Sequence, residues 1–283
     1  MVDAAVFTEH RRLLFDVAYR LTGSVADAED LVQDAWLRSR DADPDHPKAY
    51  LVKTVTHLCL NQLTSARARR ETYVGPWLPE PVLTRPDAGA EVEMAESISM
   101  AMLVVLETLS PLERAVFVLH EVFGYGHGEI ASILDKQEAA VRQTATRARG
   151  HVAARRPRFD VDMAVRREVA DRFRAACLGG DLNAVMELLA PDVVCWSDGG
   201  GKVAAARRPI EGADHVARWI LGIMTKPQAE GVVAEPAEIN GGPGVLATYA
   251  GQPVGAISLD LVDGRIAAVR YFVNPDKLKG LRT

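Results

Sequence analysis

Between Gln137 and Arg158 the chain carries six arginines, at 142, 147, 149, 155, 156 and 158, against one acid, Glu138, a local charge of +5. Guanidinium groups at this density suit phosphate, to which they donate paired hydrogen bonds, and arginine with glutamine can also read base edges in a major groove. Val141, Ala145 and Ala148 recur at packing positions, which leaves Arg142, Gln143, Arg147 and Arg149 on the other faces of one helix. A second charged set has the opposite sign. Asp27, Asp30 and Asp34 line up opposite the apolar stripe Ala28, Leu31, Val32 and Ala35. By itself that pattern reads as a solvated helix face whose first acids are favoured by the helix dipole.

Two other motifs fail on spacing. A phosphate loop of the form G-x-x-x-x-G-K ending at Gly201-Lys202 requires glycine where Trp196 stands and Ser or Thr where Val203 stands. His120-Glu121 opens like a zinc-binding H-E-x-x-H, but Gly124 occupies the last position, so no metal site is supported. Cys59, Cys177 and Cys195 are odd in number, widely separated and set in apolar runs, which reads as three buried thiols.

The elements that must carry these residues are legible from periodicity. Ser24, with Asp27 three residues on, opens the acidic helix. A further helix opens near Pro47, with Leu51, Val55 and Leu58 as its core stripe and Asn61, Arg67, Arg69 and Arg70 toward its end. From Tyr73 to about Ala95, Pro76, Pro79, Pro81 and Pro86 interrupt all periodicity, as expected of an extended linker. Helical spacing returns at Ile98, Ala101, Met102 and Val105, and Ser110-Pro111-Leu112-Glu113 is a helix start with cap, proline and capping-box acid in place. Gly128 to Arg149 then divides into a short apolar helix ending near Leu134, a turn at Asp135 and Lys136, and the basic helix, the layout of a helix-turn-helix.

After Pro157 the pattern changes. Helices are expected at Val165 to Cys177 and Asp181 to Leu189. Strands are expected at Val193 to Ser197, Val203 to Arg208, Val245 to Tyr249, Ala256 to Val262 and Ile266 to Val273, with Asp263-Gly264 as a hairpin turn. Val216, Trp219, Ile220 and Ile223 mark one helix among them, so this last third is α+β.

At 283 residues, 48% hydrophobic and 25% charged, the chain is long enough for two or three globular units. No apolar run approaches the roughly 18 residues of a membrane span, and MVDAAVFTEHRRLLF lacks a basic region followed by an apolar one, so a cytoplasmic protein without a membrane partner is expected. The net charge of -5 hides the distribution: Glu80 to Glu113 sums to -6 while the arginine helix is positive, and only local surface meets a phosphate.

The order of the blocks resembles the extracytoplasmic-function sigma factors of the sigma-70 family. DAEDLVQDAW, Asp27 to Trp36, is similar to the helix with which those proteins grip the clamp of the largest polymerase subunit, which implies polymerase contacts for Asp27, Asp30, Leu31, Asp34 and Trp36. Leu51 to Arg70 resembles their promoter-melting segment, which implies minus-ten contacts for Asn61, Arg67, Arg69 and Arg70, with Tyr50 and Tyr73 the nearby rings for base stacking. EIASILDKQEAAVRQTATRAR resembles the helix-turn-helix that reads the minus-thirty-five element, through Gln137, Arg142, Gln143, Arg147 and Arg149. Gln137 departs from the Ser or Thr cap frequent at that position.

The remaining strings, WLPEP at Trp77 to Pro81, DGGGK at Asp198 to Lys202 and NPDKL at Asn274 to Leu278, resemble the subgroup with a SnoaL-like C-terminal domain. The resemblance implies two all-α sigma domains, 1–75 and 96–158, joined by a Pro-rich linker, 76–95, and followed by an α+β cone domain, 159–283. It implies regulation in cis through Trp77, Pro79, Pro81, Asp198, Gly199, Gly200, Gly201, Lys202, Asn274, Pro275 and Asp276, with the last two strings near WLPEP. The partners implied are core RNA polymerase and promoter DNA, with room for a small ligand in the C-terminal domain; no cofactor is called for. SnoaL-like enzymes use a pocket Asp or His as proton carrier, for which Asp198, His215 and Asp260 are the residues to inspect; no catalytic role is expected. The competing readings are an operator-binding regulator with a ligand-sensing domain and a SnoaL-type cyclase or isomerase.

Overall fold

The computed structural model describes residues 2–84, 99–155 and 162–281, without the side chains of 65–71. The chain divides into two compact units, Met1–Thr72 with Met102–Arg156, and Tyr73–Ala101 with Pro157–Thr283. The described part of the Pro-rich linker, 76–84, falls in the second unit.

The first unit is helical. Asp3 caps α1 (Ala4–Thr22) by accepting from the Val6 N–H at 2.9 Å, and Gly23, at φ 69°, ends it in the left-handed conformation that glycine adopts at least cost. Ser24 caps α2 (Val25–Ser39) as its sequence position predicts, accepting from Asp27 N–H at 3.1 Å. α3 (Pro47–Glu71) packs with both. Leu14, Val17, Leu21, Ala28, Val32, Ala35, Leu51, Val55 and Cys59 are buried, so the three apolar stripes make one core.

α4 (Met100–Leu106) leads to α5 (Pro111–Phe117), where the Ser110–Glu113 capping box forms in both directions. The same helix continues into a π-helical turn, Val118–Val122. α6 (His127–Leu134) ends at Asp135, a residue type that tolerates its φ of 52°, and α7 (Glu138–Ala153) starts from Gln137 without a side-chain cap. Ile130, Ile133 and Leu134 are buried, as are Val141, Ala145 and Ala148 on α7.

The second unit places α8 (Met163–Gly179), α9 (Leu182–Leu188) and α10 (Ala213–Met224) with a six-stranded sheet. Its strands are β1 (Leu189–Asp198), β2 (Ile210–Glu211), β3 (Val233–Ile239), β4 (Gly242–Tyr249), β5 (Gln252–Val262) and β6 (Arg265–Phe272), in the order β2-β1-β6-β5-β4-β3. β1 and β6 run parallel; all other neighbours are antiparallel. Phe173, Val185, Val216 and Ile220 from the helices cluster with Val193, Cys195, Leu259 and Val269 from one face of the sheet, the α+β arrangement expected. A short helix, α11 (Pro275–Leu278), follows β6.

Two expectations change. Val203 to Arg208 is not a strand: Gly200 and Gly201, at φ 59° and 73°, turn the chain after β1, and three alanines bury too little to hold a strand, so the sheet resumes only at Ile210. β3 was hidden by Glu235, Pro236 and Glu238, residues tolerated because it is an edge strand. Its hairpin had a readable signal in Asn240-Gly241, which adopts φ 50° and 66°. All three cysteines are buried and unpaired, and burial pushes the Cys177 and Cys195 thiols up to about 12.

Candidate functional site

Asp198, the last residue of β1, is fully buried, and a buried carboxylate is tolerated only when its oxygens are paired. One oxygen accepts from the Tyr73 hydroxyl at 2.5 Å. The other accepts from the Leu78 backbone N–H at 2.9 Å and pairs with Lys277 Nζ at 2.7 Å. Lys277, also buried, donates to the Leu78 carbonyl and lies 4.2 Å from the centroid of the Trp77 ring and 5.3 Å from that of Tyr73. Asn274 completes the ring of contacts by donating to the Tyr73 oxygen at 2.9 Å, while its other amide atom caps α11. The strings WLPEP, DGGGK and NPDKL thus meet at one carboxylate. Burial, reinforced by Asp198, pushes the Tyr73 phenol well above its ordinary range, so it stays a donor.

The glycines have a steric reason. A Cβ on Gly199 would stand 2.6 Å from the Val203 carbonyl, and one on Gly200 would stand 2.3 Å from the Asn274 amide nitrogen. Only chain without side chains fits so near Asn274. At the exposed rim Lys202 pairs with Asp276, whose carboxyl is held below the ordinary range by Lys202 and then Lys279.

Further along, the linker joins the sheet. Leu83 bridges Ile239 of β3, Thr84 N–H donates to the Glu238 carbonyl at 2.9 Å, and Asn240 N–H donates to the Val82 carbonyl at 2.9 Å. The Asn240 side chain accepts from Val82 N–H at 3.1 Å. Pro79 and Pro81 are buried and Trp77 is half-buried. Prolines cost little here, since the pairing with 238–240 begins at Val82 and asks neither for an N–H.

In the helical unit, Gln137, Arg142, Gln143, Arg147 and Arg149 are all exposed. Arg142 pairs with Glu138, Arg149 Nε lies 2.6 Å from a Glu121 oxygen, and Arg147 donates weakly to Thr144 at 3.4 Å. Asp30 and Asp34 are exposed on α2, Asp27 is half-buried and accepts from Gln62 at 3.2 Å, and Trp36 packs on Phe7 with centroids 5.0 Å apart. Leu31 belongs to the apolar stripe of α2 and is 7% exposed, beneath this face. Asn61 is exposed on α3; the side chains of Arg67, Arg69 and Arg70 lie outside those described.

Comparison with known proteins decides the family. The sigma-70 region 2 family matches residues 6–69, and the sigma-70 region 4 family matches 99–152. The ECF RNA polymerase sigma factor SigJ of Mycobacterium tuberculosis is 41% identical over 99% of this chain and 94% of its own length. The chain is an ECF RNA polymerase sigma factor. A probable ECF RNA polymerase sigma factor of the same organism, SigI, is 34% identical over 99% of the chain and 96% of its own. The crystal structure of M. tuberculosis SigJ superposes with a TM-score of 0.79 at 38% identity, covering 98% of this chain and 99% of that one.

As a sigma factor the protein works with core RNA polymerase and promoter DNA, and its relatives are sigma factors rather than enzymes. The two carboxylates inspected for proton transfer are both committed to ion pairs, Asp198 with Lys277 and Asp260 with Arg270, while His215 is exposed on α10 with its Nδ1 3.1 Å from the Glu211 carbonyl. Among the described residues no group of three or more His, Cys, Asp and Glu is placed to hold a metal, and no helix is long and apolar enough to cross a membrane.

Proposed function

We propose that this sigma factor is regulated in cis by its C-terminal domain, which holds the linker between the two sigma domains through Asp198. The single observation carrying this reading is that one buried carboxylate binds a linker amide, a linker hydroxyl and the C-terminal Lys277 at once. The clasp holds residues 73–84 against the C-terminal domain. In this reading Trp77, Pro79, Pro81, Asp198, Gly199, Gly200, Gly201, Lys202, Asn274, Pro275 and Asp276 are the regulatory contacts. Lys277 adjoins this expected set, and Tyr73, a ring otherwise available for base stacking, joins it through Asp198.

On the sigma domains, Asp27, Asp30, Asp34 and Trp36 form the polymerase-facing surface, and Asn61 with the arginines after it meets the minus-ten region. Gln137, Arg142, Gln143, Arg147 and Arg149 enter the minus-thirty-five major groove. The place for a small ligand is a cleft of about 370 Å³ walled by Leu83 and Thr84 of the linker and by Arg167, Pro236 and Leu246, where occupancy would act on the linker directly. The test is in vitro transcription with core RNA polymerase, comparing the intact chain, Asp198→Asn and a chain ending after Arg158. A change in promoter-specific transcript that Asp198→Asn shares with the truncation supports the clasp. Transcription identical in all three overturns it.

A further inference from the structure

In the helical unit, the α6 C-terminus is received by Lys53 and His57 of α3. Lys53 Nζ donates to Asp135 at 2.5 Å and to the Ser132 carbonyl at 3.2 Å. His57 Nε2 lies 2.7 Å from the Ile133 carbonyl and 3.5 Å from Asp135; a carbonyl only accepts, so that nitrogen carries the proton. The last carbonyls of a helix lack partners within it and carry its negative dipole end, so with the Asp135 carboxylate they make an anionic site of several oxygens. Lys53 and His57 lie one turn apart, and Asn61 follows at the same spacing, so all three share the α3 face proposed to meet promoter DNA.

This contact joins a minus-ten helix to the turn of a minus-thirty-five motif. The two elements lie about 25 base pairs apart by their positions, about 85 Å of duplex at 3.4 Å per step. Groups within 3.5 Å of each other cannot serve both elements at once, so promoter engagement must break the contact. What it releases on α3 is a Lys–His pair that had been holding carboxylate and carbonyl oxygens.

We propose that Lys53 and His57 form a binding site for a DNA backbone phosphate and that Asp135 occupies that site in the free protein. The promoter phosphate exchanges with the Asp135 carboxylate, and the acid in the recognition turn keeps the two DNA-binding surfaces together until DNA arrives. The pair is half-exposed, with side-chain exposures of 41% for Lys53, 40% for His57 and 63% for Asp135, so phosphate can reach it without unfolding either domain.

The inference rests on the proposed contact of α3 with DNA, and the test separates the two. Binding of the full chain to a fluorescein-labelled 25-base-pair duplex is measured from 50 to 200 mM salt for the wild type, Asp135→Asn, Lys53→Gln/His57→Gln and the triple variant. Asparagine keeps the left-handed backbone at 135, and unchanged thermal unfolding checks this. Asp135→Asn should bind about threefold to tenfold more tightly at 50 mM, with a log–log salt slope steeper by about one unit per phosphate gained. That gain should vanish when Lys53 and His57 are absent. An equal gain in their absence would mean Asp135 acts only as a nearby negative charge, and either that result or no gain at all overturns the proposal. Asn61→Asp discriminates further: if it weakens binding while Asp135→Asn is neutral, the phosphate site alone fails, and if neither changes binding, the DNA assignment of α3 fails with it.

Discussion

Replacing Asp198 by asparagine removes one charge from a pair whose side chains are 0% and 11% exposed, and leaves the Lys277 ammonium buried against Trp77 and the Leu78 carbonyl. Removing one partner from a buried ion pair costs about 3–5 kcal/mol, because the other charge is left uncompensated. Asparagine can still accept from Tyr73 or Leu78, which places the expected cost near the lower end, about 3 kcal/mol, or roughly a hundredfold in the docking equilibrium of the linker. Hydrogen exchange read by mass spectrometry distinguishes linker release from general unfolding. A peptide spanning 73–84 should exchange about a hundred times faster in Asp198→Asn, while one from the core of β5, including Leu259 and Leu261, should be unchanged. Lys277→Met should release the same peptide, and the double variant should lose much less than the sum of the two, with a coupling of at least about 1 kcal/mol. Strict additivity, or a linker peptide that exchanges at the wild-type rate, would refute the reasoning.

Gly200→Ala should also free the linker, since φ 59° costs a side chain roughly 1–2 kcal/mol and the added carbon meets Asn274, whereas Gly150→Ala on exposed α7 should not; both are read by the same exchange experiment. Tyr73 gives the clasp a pH dependence: its phenol is raised in the folded state, so its contribution is fully present below about pH 10 and is lost as pH rises from there toward the folded value. Tyr73→Phe should remove that alkaline loss of linker protection, and the difference in absorbance at 295 nm between the two proteins should place the Tyr73 titration above that of free tyrosine. Arg147→Ala should reduce the salt slope of duplex binding by about one unit, and Arg149→Ala by less, because Arg149 must first leave Glu121. Equal slopes for both variants would place the groove-facing side of α7 elsewhere.

Where local rules act alone, the sequence was readable. Ser24, Ser110 and the Asp135 turn fall where capping chemistry puts them, and the stripe from Ala28 to Ala35 is buried as its spacing requires. The second unit was less legible because its decisive contacts are long-range. Prolines and polar residues in 73–84 say that no helix or strand can propagate there, and they cannot say that a carboxylate more than a hundred residues away will organise the segment. Lys277 looks like any lysine at the start of a short helix until Asp198 is placed beside it. β3 was missed for the opposite reason: its composition is poor for a strand, and only the Asn240-Gly241 turn and the neighbouring β4 make it one.

The linker's attachment to β3 has a consequence for handling the protein. Thr84 satisfies the Glu238 carbonyl and Val82 the Asn240 amide, one on either side of the Leu83–Ile239 bridge at the end of the outermost strand. Once the linker leaves, that carbonyl and amide are freed on an edge strand, where an extended chain, including another copy of the same segment, can pair with them. A clasp-released sigma factor is therefore expected to be stickier than the resting one. Its lifetime as a monomer would fall with concentration, so the switch and colloidal stability draw on the same three residues.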